Sequence, residues 1–168
     1  MDIQEQADTQ LQKVADLIKD IKFAMLTTSE PNGTLRSRPL STIQMDAEGT
    51  LWFFTSLKSP KIDDIEQNSQ VNLSYADPDK QDYVSISGTA ETVQDKDKMR
   101  ALWSLWIKPW FPEGLDDPNL TLLKITIDEA EYWDAPGNPV RRIYGLTKAL
   151  STGKTDALGE NKQIDVRH

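Results

Sequence analysis

Cysteine is absent from the 168-residue sequence, which removes disulfides, thiolate metal sites and a cysteine nucleophile together. Histidine is almost as scarce. The single copy, His168, is the last residue, so a histidine general base, a histidine-based triad or a histidine-containing metal cluster is not expected. No apolar run approaches the roughly 20 residues a membrane span needs. The opening Met1-Asp2-Ile3-Gln4-Glu5 is acidic and polar, where a signal peptide starts basic and turns apolar. A cytoplasmic protein with no membrane partner is expected. Basic excess is also missing: 19 Lys and Arg stand against 27 Asp and Glu, for a net charge of −8. That field repels a phosphate backbone, and with no basic patch in the sequence nucleic acid is not expected as a partner. A site for any anion must therefore be locally basic.

What is present suits one globular domain, with 38% hydrophobic and 27% charged residues. Ile3, Ala7, Leu11, Val14, Leu17, Ile18 and Ile21 recur at helical spacing, which predicts an amphipathic helix over residues 2–20. Strand patterns follow from Phe23 to Thr28, Thr34 to Met45 and Thr50 to Thr55, separated by the turn signals Pro31-Asn32-Gly33 and Asp46-Ala47-Glu48-Gly49. Ser59-Pro60 reads as an N-cap with proline at the first helical position, and Ile62 and Ile65 give that helix an apolar stripe. Val71 to Ala76, Tyr83 to Val93 and Leu122 to Trp133 read as further strands, with Gly88 marking a bulge or barrel corner. Asp95 to Trp106 reads as a helix, and Val140 to Leu150 as a weaker one. Residues 1–150 thus form the domain, and residues 151–168 a poorly ordered polar tail. The fold class is mainly β with peripheral helices. Six antiparallel strands with short turns favour a closed barrel, because closure removes exposed edges.

One stretch carries a chemical signal. Ser59 and Lys61 stand at the N-terminus of a short helix, where free N–H groups and the helix dipole favour an anion. Arg36 and Arg38 are two apart on a strand and project from one face, from which a guanidinium can grip phosphate in a two-pronged contact. Thr55 and Ser56 add hydroxyl donors. The competing reading has both arginines facing solvent and Ser59 only capping its helix. Gly153-Lys154-Thr155 imitates the end of a phosphate loop but has Lys148 where that motif requires glycine. Asp77, Asp79 and Asp82 lack the glycine and glutamate of a calcium loop and read as a solvated acidic turn.

The run Phe53-Phe54-Thr55-Ser56-Leu57-Lys58-Ser59-Pro60-Lys61, continuing through Ile65 to Tyr75, resembles the FMN-phosphate segment of pyridoxamine 5'-phosphate oxidase-like flavoproteins. Arg38-Pro39-Leu40, Trp110-Phe111-Pro112-Glu113-Gly114 and Tyr144-Gly145-Leu146-Thr147-Lys148-Ala149 resemble the bacterial general stress protein group of that family. The resemblance implies a six-stranded split barrel that forms a homodimer with FMN in clefts at the subunit interface. It also implies that Arg38, Thr55, Ser56, Ser59 and Lys61 hold the phosphate. By the same resemblance, Pro39 and Leu40 place backbone against the ring, and the family's aromatic-Thr pair falls on Phe54 and Thr55. Tyr83 matches a position that touches FMN, Trp133 matches the tryptophan of the oxidases' Phe-Trp pair, and Trp110 is counted with the FMN-binding residues. Two departures stand out. Pro60 replaces a second basic residue before the phosphate lysine, and the oxidases' Arg-x-His substrate motif is replaced by Asp134 to Arg142 without a histidine.

The reading that follows is an FMN-binding flavoprotein of the general stress protein type. Its flavin would carry oxidoreductase chemistry between small-molecule electron donors and acceptors that the sequence does not name. The alternatives are pyridoxamine 5'-phosphate oxidation, or a non-catalytic flavin-binding or dimeric interaction protein. No catalytic side chain and no metal site is assigned.

Overall fold

In the computed structural model, which describes residues 1–134 and 160–166, the chain opens with the strand β1 (Asp2–Ile3) and the helix α1 (Thr9–Ile18). The helix is shorter than the periodicity over residues 2–20 suggests. Asp8 caps it, its carboxylate accepting from the backbone N–H of Gln10 at 2.6 Å and Leu11 at 3.4 Å. Ahead of that cap, Asp2 and Ile3 pair in parallel with Gln44 and Met45.

The strands β2 (Phe23–Ser29), β3 (Leu35–Met45) and β4 (Leu51–Ser56) follow. Their two turns place Gly33 at φ +83° and Gly49 at φ +79°, the left-handed region where glycine carries no steric penalty. The helix α2 (Pro60–Gln67) crosses to β5 (Gln70–Asp77) and β6 (Asp82–Val93), and α3 (Lys96–Leu102) precedes the long β7 (Leu120–Asp134). Antiparallel neighbours run in the order β3-β2-β5-β6-β7-β4, and β4 pairs back onto β3. That closes a six-stranded barrel and leaves none of the six with a free edge along its whole length.

Gly88 sits where the β6–β7 register shifts: Ser87 faces Glu129 but Gly88 faces Ile127, so Asp128 is the extra residue on β7. A Cβ on Gly88 would lie 2.4 Å from the Thr126 carbonyl oxygen. Close approach of the two backbones, rather than an unusual φ, demands glycine here.

Two expectations need correction. The helix expected from Asp95 to Trp106 ends at Leu102, and Leu105–Ile107 form a separate short 3-10 turn. Trp103 leaves the helix in an extended conformation, φ −67° and ψ 134°, and packs its ring edge-on against Phe54 at 5.5 Å. The polar tail is not wholly irregular either. Residues Glu160–Asp165 form β8, paired antiparallel with β7 from Glu129 to Asp134, and Ile164 is buried in the core. The helix expected from Val140 to Leu150 and the Gly153-Lys154-Thr155 motif lie outside the described residues.

The main core fills the barrel with Leu26, Phe53, Leu73, Tyr75, Ile86 and Leu123, closed on one side by Leu11, Val14 and Ile18 of α1. The strand β4 is buried on both faces, as its unbroken apolar run requires. Leu51 and Phe53 enter the barrel, whereas Trp52 and Phe54 join a second cluster with Ile43, Met99, Ile107 and Leu122. This second cluster fastens the segment after β6 to the outside of the barrel and so builds the wall of a cleft. Among the described residues no helix is long and apolar enough to cross a membrane.

Candidate functional site

The buried face of α2 carries Ile62 and Ile65, as the sequence pattern suggests, and also Lys61 and Asp64. Three residues apart on one helix, Lys61 and Asp64 are neighbours on its surface. Packing the isoleucines against the barrel therefore carries two charges with them. Lys61 Nζ donates to Thr55 Oγ1 at 2.8 Å and to Ser59 Oγ at 2.5 Å. Ser59 occupies the N-cap position without a side-chain capping bond, its hydroxyl being engaged by the lysine. Among the described residues, Lys61 has no carboxylate partner. Burial, and after it the nearby Arg38 cation, lower its pKa from the usual 10.5 to about 8.

Arg38 lies opposite Leu26 across the β2–β3 ladder, and Thr28 opposite Arg36. Opposed residues share a face, so Arg38 points to the barrel side, toward α2. Its Nη1 donates to Thr28 Oγ1 at 2.8 Å, and Thr28 Oγ1 in turn donates to Asp64 Oδ2 at 2.8 Å. Arg38 Nη2 also reaches the same Asp64 oxygen at 3.4 Å. Arg36 instead is 60% exposed and pairs loosely with Glu30 at 3.4 Å, while the Arg38 side chain is 19% exposed. The solvent-facing reading holds for Arg36 and fails for Arg38. Lys61, Arg38 and Asp64 together place two cations against one carboxylate, leaving a positive charge at the rim of the barrel despite the acidic chain.

A cleft of about 350 Å³ opens beside this group. Its polar end consists of Thr55, Ser56, Ser59 and Lys61. Its apolar lining comes from Pro39, Leu40 and Phe54 of the barrel strands and from Trp106, Ile107, Trp110 and Phe111 of the segment after α3. Phe111 is held by Phe54 at 6.5 Å between ring centroids, and Trp106 and Trp110 contact each other edge to face at 6.1 Å. The result is a largely apolar cleft with a cationic, hydroxyl-rich end.

Of the residues singled out from the sequence, eight line this one cleft: Pro39, Leu40, Phe54, Thr55, Ser56, Ser59, Lys61 and Trp110. Arg38 stands behind it, tied to Thr28 and Asp64. Tyr83 and Trp133 do not line it. They face each other across β6 and β7, 42% and 39% exposed, on the outer face of the sheet. Sequence reasoning missed Phe23, Ser41 and Ile43 in the lining, and Thr28 and Asp64 behind it. A signal for Asp64 did exist, since it follows Lys61 by three residues on the helix whose buried stripe was legible.

Known proteins share this architecture. The family model for pyridoxamine 5'-phosphate oxidase-like proteins matches residues 9–157, and the chain belongs to that family. General stress protein 26 of Bacillus subtilis is 30% identical over 74% of this chain and 88% of its own length. Among solved structures, a Clostridium acetobutylicum protein related to general stress protein 26 superposes with a TM-score of 0.71 at 19% identity, over 94% of this chain and 95% of that one. That likeness establishes the split-barrel fold. The general stress FMN/FAD binding protein of Xanthomonas citri is 28% identical, with a TM-score of 0.65 over 76% of this chain and 90% of its own.

Proposed function

We propose that this chain binds FMN in the cleft and serves as a flavin-dependent oxidoreductase of the general stress protein type. The observation that carries the reading is Lys61: a buried cation, fixed by two hydroxyls at the end of a largely apolar cleft, whose missing counterion a phosphate would supply. The residues fit the group. Lys61, Ser59, Ser56 and Thr55 would hold the phosphate, with Arg38 behind them, and Pro39, Leu40, Phe54 and Trp110 would hold the ring. A bound flavin supplies hydride and electron transfer; the chain supplies orientation and exclusion of water. Small-molecule donors and acceptors would enter past the exposed Trp106 and Trp110.

The same reading includes a homodimer. Phe23 and Met25 are 50% and 42% exposed on the outer face of β2. Register links Met25 through Ser74 to Ser85, two residues from Tyr83, which faces Trp133. These four exposed side chains therefore share one sheet face, and Phe23 also lines the cleft. A second copy seated on that face would cover the cleft and could bring its own Tyr83 and Trp133 to the ligand.

The test is a titration of the purified chain with FMN at several pH values, followed by flavin fluorescence. Below pH 8 Lys61 is already charged, so the phosphate binds without proton uptake. Above about 8 the free lysine is increasingly neutral, and binding must first restore its proton. Affinity is expected to be highest near pH 7 and to fall toward tenfold per pH unit above about 8, with the fall absent in Lys61→Ala. Lack of FMN uptake at pH 7 would end the proposal.

A further inference from the structure

We propose that Asp64 and Thr28 are positioning residues that fix the Arg38 guanidinium behind the polar end of the cleft, beside Lys61, and thereby set a preference for the phosphorylated flavin over its dephosphorylated form. This inference rests on the flavin reading above.

An arginine side chain on a strand beside an open cleft has many rotamers, and only a few aim the guanidinium at a ligand. Here three bonds remove that freedom. Nη1 donates to Thr28 at 2.8 Å, Nη2 to Asp64 at 3.4 Å, and the Thr28 hydroxyl donates to Asp64 at 2.8 Å. Thr28 is 1% exposed and Asp64 7%, so water does not compete for these partners. A guanidinium has five N–H donors, and the tether occupies one on each terminal nitrogen, leaving the others for a phosphate. Asp64 also keeps the charge in balance. Burial, and after it the neighbouring Arg38 cation, lower the Lys61 pKa, and the Asp64 carboxylate, 3.4 Å from Arg38 Nη2, offsets the arginine's charge. Thr28 sits on β2, Arg38 on β3 and Asp64 on α2, so the tether ties three elements together behind the cleft without lining it.

The variants Asp64→Asn and Thr28→Val keep side-chain shape, and the second leaves every charge in place. Each is titrated with FMN and with riboflavin, which differs only in lacking the phosphate, beside wild type, Lys61→Ala and the hydroxyl-retaining Thr28→Ser. Wild type is expected to prefer FMN strongly. Asp64→Asn and Thr28→Val are each expected to lose about tenfold in FMN affinity, the effect of one charge-assisted hydrogen bond. Riboflavin affinity should hold within about twofold, and Thr28→Ser should restore the preference. Unchanged or increased FMN affinity in both variants, while Lys61→Ala loses it, would overturn the positioning role and leave the flavin reading standing. Parallel loss of both ligands would also overturn it, since that marks a structural role. If wild type binds FMN no better than riboflavin, the phosphate reading fails and this inference with it. Thermal melts of every variant show that the comparison is made on folded chains.

Discussion

Alanine at both Lys61 and Arg38 is expected to weaken FMN binding by about a thousandfold. A hydrogen bond to a charged group contributes roughly 1.5–3 kcal/mol, and two such contacts to one phosphate multiply to about that factor. The single variants should differ in their effect on the fold. Lys61 is a buried cation without a carboxylate partner, held only by the Thr55 and Ser59 hydroxyls, so Lys61→Met should leave the thermal midpoint unchanged or raised while FMN binding falls. Arg38→Ala leaves the Asp64 carboxylate buried beside Thr28 without its cation, and should lower the midpoint. Fluorescence titration and thermal melts on the three variants separate the ligand effect from the fold effect. A double variant that still binds FMN within about tenfold of wild type would show that the phosphate lies elsewhere.

The largest expected effect on stability comes from Gly88. Because a Cβ there would sit 2.4 Å from the Thr126 carbonyl oxygen and 3.0 Å from Ile125 Cγ2, Gly88→Ala must push β6 and β7 apart at the bulge. Overpacking of this kind costs about 3 kcal/mol, or about 10 °C in thermal midpoint for a domain of this size. Backbone is the obstacle, so repacking of a flexible side chain does not relieve it. A change below about 1 °C would mean that the two strands are less closely apposed than described.

The barrel was legible because its strands announce themselves one at a time. Alternation in β2 and β6, the unbroken apolar run of β4 and the turn glycines at 33 and 49 are local signals. What escaped was non-local. Ile3 and Ala7 continue the helical period of α1, but the Asp8 cap ends the helix before them and the β3 edge recruits Asp2 and Ile3. The strand β8 is polar apart from Ile164 and is held by backbone pairing to β7, which leaves little side-chain pattern. Trp103 fits the stripe of α3 yet departs from it to meet Phe54.

The site divides in the same way. Ser59 and Lys61 belong to one short segment, and a motif could find them. Arg38, Thr28 and Asp64 come together only when β2, β3 and α2 are assembled, so their spacing in the chain says nothing of their contact. Tyr83 and Trp133 share a sheet face with Phe23, which lines the cleft, but do not themselves line it within one chain. Their placement in the site belongs to the proposed dimer.

A crystal structure of the chain in complex with FMN tests the central claim most directly. The expected result is a phosphate against Lys61, Ser59 and Thr55, with the ring between Pro39 and Trp110. An FMN bound elsewhere, or a phosphate at that cleft's apolar end, would contradict the assignment of Lys61 as the ligand's counterion.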